Sequence, residues 1–226
     1  IFSKWRDALG GKVEVIVSGA AALQPRLARV FTSAGIAVLE GYGLTETSPV
    51  IAVNRFEQSN RMFGSVGPIL DGVEVKIADD GEILCKGPNV MMGYFKNPEA
   101  TREVLDEEGW LHTGDVGEIR KERFLCITDR KKEIFKTSGG KYVAPQAMEN
   151  KFKESVFIEQ VMVLGEGRKH PAALIVPSWE SLQKWLADHE LKAQSLSDAV
   201  ALPEVNKLLE EEVQRLNQSF GQWEQV

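Results

Sequence analysis

No apolar stretch in these 226 residues approaches the ~20 needed to cross a bilayer, and no basic-then-apolar leader opens them. Cysteine is nearly missing. Cys85 and Cys126 each sit inside a strand-like apolar run, which disfavours a disulfide framework or a zinc site and fits buried thiols in a reducing compartment. A basic arm is missing too, and a formal net charge of −6 argues against nucleic-acid binding. The expectation is a soluble, intracellular protein of the cytoplasm, in which the sequon Asn217-Gln-Ser219 is without consequence. Several familiar chemical signatures are absent: no G-x-x-x-x-G-K-[ST] loop, no G-x-G-x-x-G, no H-E-x-x-H and no G-x-S-x-G. There is no internal repeat and no low-complexity run. Charged and apolar residues stand near globular proportions, and the length fits one large or two modest domains.

Hydrophobic spacing and Gly/Pro punctuation give the organisation. Residues 1–9 read as the last turns of a helix closed by Gly10-Gly11. Val13 to Val17 is a strand, Ser18-Gly-Ala-Ala-Ala22 a small-residue loop, and Gln24 to Ala34 a helix with Pro25 in its first turn and Gly35 as its stop. Ile36 to Leu39 is the next strand, so a β-α-β unit with a parallel pair is expected over residues 1–49. Ligands of open α/β sheets sit at the C-terminal ends of such strands, here the loops 18–22 and 41–47.

Past Pro49 the pattern turns to short strands and tight turns, expected as a small antiparallel sheet or β-barrel over residues 50–131. It includes a hairpin around Asp79-Asp-Gly81, a helix over 99–108 capped by Asn97, a strand 109–115 ending in a turn, and a second hairpin pairing 116–119 with 124–127. Residues 132–226 read as a small α+β domain. It has short strands around Thr137-Ser-Gly-Gly140, a helix over 145–153, strands 160–164 and 172–176, and amphipathic helices 178–188 and 203–217. The tail 221–226 reads as the approach to another strand. The fold class is therefore α/β followed by α+β.

Between Arg130 and Lys141 lie five cationic side chains (Arg130, Lys131, Lys132, Lys136, Lys141) and one anionic, Glu133. Such a cationic spot on an acidic chain suits a small anionic partner, and is equally a solvated inter-domain turn. In Leu39-Glu-Gly-Tyr-Gly-Leu-Thr-Glu-Thr-Ser-Pro49, Gly41 and Gly43 let the backbone approach a flat or charged ligand, and Tyr42 offers a ring face. Thr45 and Glu46 pair a hydroxyl for a phosphate oxygen with a carboxylate for Mg²⁺. Read alone it is also an ordinary strand-to-loop turn. Thr113-Gly-Asp115 presents a carboxylate suited to the two hydroxyls of a ribose, although Gly-Asp is common turn chemistry. Arg130 could donate to the same sugar or to a phosphate through its planar fork.

Taken in order, Ser18-Gly-Ala-Ala-Ala22, Gly41-Tyr-Gly-Leu-Thr-Glu46, Gly109-Trp-Leu-His-Thr-Gly-Asp115 and Asp129-Arg-Lys-Lys-Glu-Ile-Phe-Lys-Thr-Ser-Gly-Gly-Lys141 resemble the ANL superfamily of adenylate-forming enzymes. Within it, Lys136-Thr-Ser-Gly-Gly-Lys-Tyr-Val-Ala-Pro-Gln146 looks most like the long-chain fatty acyl-CoA synthetases. The resemblance covers essentially the whole chain. It implies ATP, AMP, Mg²⁺ and CoA as ligands and a fatty acid as substrate, and it admits peripheral membrane association of the full-length enzyme. Gly19, Ala20, Ala21 and Tyr42 would frame the adenine. Thr45 would touch the α-phosphate, Glu46 the Mg²⁺, and Asp115 the ribose with Arg130 beside it. Lys132 falls at the family's hinge, and Ser138, Gly139 and Gly140 would face the pantetheine of CoA. Lys141 stands where the family often has arginine, which leaves its phosphate contact open. The family's phosphate loop is expected upstream of Ile1 and its adenylating lysine beyond Val226, so an inactive C-terminal fragment is implied. The rivals are an enzyme of the same fold that loads a carrier protein, and a non-catalytic interaction domain.

Overall fold

The computed structural model describes residues 2–226 of the chain, which divides into two compact units, one ending at Lys131 and the other beginning at Lys132. The first unit opens with helix α1 (Phe2–Ala8) and strand β1 (Val15–Ser18). Helix α2 (Pro25–Ser33) follows, with proline in its first turn, where a missing N–H costs nothing. Strand β2 (Ala37–Gly43) then pairs with β1 in parallel, Val15 opposite Ala37, as the β-α-β pattern requires.

β2 runs further than the sequence indicates. Its glycine-rich end, expected as a loop, is strand, because β3 (Val50–Val53) pairs with it antiparallel and supplies the hydrogen bonds that weak local propensity does not. Gly43 is dictated by this pairing. A Cβ there would lie 1.7 Å from the carbonyl oxygen of Pro49, so only glycine allows the returning chain so close.

The second sheet of this unit has the order β4-β8-β7-β6-β5, all antiparallel, from β4 (Gly67–Pro68), β5 (Glu74–Ile77), β6 (Glu82–Lys86), β7 (Leu111–Arg120) and β8 (Phe124–Arg130). Among the described residues its edge strands β4 and β5 are not bonded to each other, so of the expected sheet or barrel the structure has the open five-stranded sheet, and no closed barrel. Ile51, Ala52, Ile83, Cys85 and Leu125 form the core shared by the two sheets, with Tyr42 packed on its edge. Each fully buried aliphatic here contributes roughly 1.5–3 kcal/mol.

Helix α3 (Pro98–Val104) is capped by Asn97, whose Oδ1 accepts from the Ala100 N–H at 3.1 Å. It stops four residues short of the expected end at 108. Asp106 Oδ1 accepts from the N–H groups of Glu108 and Trp110 at 2.9 and 2.8 Å, offering that backbone a turn in place of a helix, and Leu105 bridges Leu111. Residues 113–115, expected as a turn, lie inside β7. Likewise Asp129 and Arg130, expected in the connection between the units, complete β8.

The second unit contains the two-residue strands β9 (Phe135–Lys136) and β10 (Tyr142–Val143), paired around the Thr137–Gly140 turn. Helix α4 (Pro145–Phe152) packs on the hairpin of β11 (Ile158–Leu164) and β12 (Ala172–Pro177). Phe135, Val143, Met148, Phe152, Ile158, Val161, Val163 and Leu216 are its main core. Helices α5 (Trp179–Asp188), α6 (Leu196–Val200) and α7 (Pro203–Asn217) close a second cluster around Leu182, Leu186, Ala199 and Val205. Residues 222–224 form a turn rather than the approach to a strand.

Candidate active site

β7 and β8 place Asp115 directly opposite Arg130. The Asp115 carboxylate is 5% exposed. Its Oδ1 lies 3.3 Å from Arg130 Nε, and its Oδ2 accepts a 2.6 Å hydrogen bond from the Tyr42 hydroxyl, which comes from the other sheet. Burial, and then the bond to Asp115, push the Tyr42 hydroxyl far above its ordinary range, so it remains a donor. A carboxylate offers about four acceptor positions, so two remain for a further ligand.

The loop after β1 reaches the same strand. A Cβ on Gly19 would be 3.4 Å from the Gly41 carbonyl oxygen, and Ala20 next to it adopts a left-handed φ of 64°. Ala21 completes that turn. Glu40, beside Gly41, has its carboxyl pushed up to about 7 by burial.

Thr45 and Glu46 stand on a single helical turn, Thr45–Thr47, that follows β2. The buried Thr47 holds the turn: its Oγ1 accepts from the Leu44 N–H at 2.9 Å and bonds the Pro49 carbonyl. Thr45 is exposed and Glu46 half-buried. The Tyr94 hydroxyl donates to Glu46 Oε1 at 2.8 Å, and the Met91 N–H to its carbonyl at 2.8 Å. The bond to Glu46 raises the Tyr94 hydroxyl above its usual range. Among the described residues no group of three or more His, Cys, Asp and Glu side chains is placed to hold an ion. A Mg²⁺ at Glu46 would therefore take one protein carboxylate, the others coming from phosphate and water, which is the usual manner of nucleotide-bound magnesium.

In the second unit the Ser138 N–H donates to the Arg168 carbonyl at 2.8 Å, and Gly140 takes a left-handed φ of 77°. The buried Thr137 ties the turn to Lys141, whose N–H donates to Thr137 Oγ1 at 3.2 Å. Gly139 lies at its tip, and the Lys141 ammonium stands 5.2 Å from the centre of the Trp223 ring. Lys132 is the first residue of this unit.

The first unit thus gathers Gly19, Ala20, Tyr42, Asp115 and Arg130 around one strand end, with Thr45 and Glu46 on the turn that continues it. Ser138, Gly139, Gly140 and Lys141 belong to the other unit. Sequence reasoning passed over Tyr94, Glu82 and His112. Glu82 had a signal: it opens the apolar strand-like run Glu82-Ile-Leu-Cys85, all four residues of which are buried in the fold, and a carboxylate in such a strand must find partners.

A family model described as AMP-binding enzyme matches residues 2–95, and one described as AMP-binding enzyme C-terminal domain matches residues 119–219. Together they account for most of the chain, which belongs to the AMP-binding, adenylate-forming ANL superfamily. Curated relatives are similar to the chain as well. A long-chain-fatty-acid–CoA ligase, FadD15, of Mycobacterium bovis is 37% identical over 100% of this chain and 37% of its own length. Fatty acyl-CoA synthetase A of Dictyostelium discoideum is 41% identical over 83% of this chain and 30% of its own length. The chain thus spans about a third of the length of these relatives. Among solved structures, the A domain of a carboxylic acid reductase from Segniliparus rugosus, in complex with AMP and a co-purified carboxylic acid, superposes with a TM-score of 0.74. It is 26% identical and is matched over 99% of this chain and 34% of its own. No helix among the described residues is long and apolar enough to cross a membrane.

Proposed function

We propose that the chain is part of a longer AMP-forming long-chain fatty acyl-CoA ligase. That enzyme would join a fatty acid to ATP as acyl-AMP with release of pyrophosphate, then pass the acyl group to the thiol of CoA. The observation that carries this reading is the buried Asp115, held by Tyr42 and Arg130 with acceptor positions to spare. The pair of ribose hydroxyls of a nucleotide is a fitting occupant.

On this reading the tyrosine ring and the Gly19–Ala21 turn frame the adenine, and Asp115 accepts from both ribose hydroxyls. Arg130, paired with Asp115 on a side chain 60% exposed, would donate to the same sugar or to a phosphate. Thr45 donates its hydroxyl to the α-phosphate. Glu46 would hold Mg²⁺, which supplies electrostatic stabilisation of charge developing on the phosphate oxygens. Tyr94 occupies one oxygen of that carboxylate and leaves the other for the ion. No side chain here need act as a nucleophile, because carboxylate and thiol come from the substrates. Ser138, Gly139 and Gly140 would face the pantetheine of CoA in the second reaction, with Lys141 beside them and Lys132 as the joint between the two arrangements. The phosphate loop and the adenylating lysine would come from the rest of the enzyme.

The test is the full-length protein with a long-chain fatty acid, ATP and Mg²⁺, offered either CoA or a phosphopantetheinyl carrier protein. Formation of AMP and acyl-CoA is expected. Acylation of the carrier alone would transfer the proposal to a carrier-loading ligase, and failure to form acyl-AMP would end it.

A further inference from the structure

Outside the nucleotide-facing set, one buried carboxylate collects three donors. Glu82 opens β6 with its side chain 5% exposed. Its Oε1 accepts from the Gly114 N–H at 3.0 Å. Its Oε2 lies 2.7 Å from Lys131 Nζ and 3.1 Å from His112 Nδ1. Lys131 Nζ also reaches Asp80 Oδ2 at 2.7 Å, while its backbone N–H donates to the Gly114 carbonyl at 2.8 Å. Glu82 therefore braces both ends of Gly114, one directly and one through Lys131. Gly114 takes a φ of +73° within the strand, a backbone conformation that glycine adopts without strain and that these two bonds hold in place. Burial works against ionisation of Glu82 most strongly. The bonds from Lys131, His112 and Gly114 outweigh it and hold the carboxyl below the usual range.

The positions of the braced residues give the cluster its reach. Gly114 immediately precedes Asp115, and Lys131 immediately follows Arg130, so one carboxylate fixes the backbone beside each member of the nucleotide-facing pair. Lys131 is also the last residue of the first unit.

We infer that Glu82 is a positioning residue: through Gly114 and Lys131 it aims Asp115 and Arg130 at the nucleotide and ends the fixed backbone of the first unit at residue 131. The inference rests on the reading of Asp115 as the ribose carboxylate. A purely structural ion pair would lower stability without singling out nucleotide affinity.

The experiment uses the full-length enzyme and the variants Glu82→Gln, Lys131→Met, their double mutant and Lys131→Arg. It reads the Kd for AMP by calorimetry, and KM for ATP separately from kcat. Lys131 is 46% exposed, so its variants keep the test open even where Glu82→Gln folds poorly. Each of Glu82→Gln and Lys131→Met is expected to weaken AMP binding by about three- to tenfold, with kcat at saturating ATP within about twofold of wild type. The double mutant should lose less than the sum of the two singles, since both changes break the Glu82–Lys131 bond that they share. Lys131→Arg should restore affinity. An unchanged Kd in Lys131→Met, fully additive losses, or a loss confined to kcat overturns the inference. Asp115→Ala is the control. If it weakens AMP binding and Lys131→Met does not, the brace alone fails; if it too leaves binding unchanged, the ribose reading fails and the inference with it.

Discussion

Replacing Tyr42 with phenylalanine would remove one oxygen and leave the ring, which separates two roles that the residue combines. The hydroxyl donates at 2.6 Å to a carboxylate that is 5% exposed. A hydrogen bond to a charged acceptor contributes about 1.5–3 kcal/mol net. The other partner is weaker: Arg130 Nε is 3.3 Å away on a side chain 60% exposed, where such a pair contributes about 0–1 kcal/mol. The half-buried phenol, with its short bond, and not the exposed guanidinium should therefore anchor Asp115. A double-mutant cycle of Tyr42→Phe with Asp115→Ala, read by urea unfolding and by hydrogen exchange in β2 and β7, should give a coupling of about 1.5–3 kcal/mol. The same cycle with Arg130→Met should give about 1 kcal/mol or less. If the arginine cycle returns the larger coupling, or the tyrosine cycle falls below about 0.5 kcal/mol, burial does not rank these partners and the reasoning is wrong.

If Glu46 holds Mg²⁺ in the full-length enzyme as proposed, Glu46→Gln should lower the turnover of acyl-AMP formation more than the affinity for ATP, because the ion acts where charge develops; equal turnover at saturating Mg²⁺ would remove Glu46 from the mechanism. Lys132→Pro, which fixes φ near −65° and also restrains Lys131, should preserve acyl-AMP formation and strongly reduce thioester formation, with Lys132→Ala far milder. Pyrophosphate release and acyl-CoA appearance measure the two steps, and equal slowing of both in a folded proline variant would contradict a hinge there. Glu40 makes a pH prediction. Its carboxyl titrates at about 7 in the fold against 4.5 unfolded, so the unfolded chain ionises first as pH rises between those values and stability is lost across that window. Glu40→Gln should therefore have almost no effect near pH 4.5 and stabilise by about 1–2 kcal/mol at pH 8, after allowance for solvent at a half-buried site. A stabilisation independent of pH in thermal melts would refute the cause.

Legibility in the sequence followed the range of the interaction. The β1-α2-β2 unit, the β5-β6 hairpin and helix α7 were readable because apolar period, Pro25 and the turn at 79–81 act within a few residues. The second half of β2 was not, since Gly41, Tyr42 and Gly43 are strand only because β3 returns to pair with them. Sheet closure was equally hidden, as nothing local to β4 or β5 says whether they meet. The candidate residues 42, 46, 115 and 130 could be named from their motifs. Their supports could not: Tyr42 reaches Asp115 across 73 positions, and Glu46 reaches Tyr94 across 48. Lys131 looked like one more charge in a basic run, although its partner Glu82 lies 49 residues earlier.

The two cysteines have a practical consequence. Both Cys85 and Cys126 belong to the first unit, at 0% and 2% exposure, and the second unit has none. Burial pushes the Cys85 thiol up to about 11 and also raises Cys126, so neither supplies thiolate to an alkylating reagent while the sheet is shut. Within these 226 residues thiol labelling is therefore a clock for the opening of the first unit alone, blind to whatever the second unit is doing.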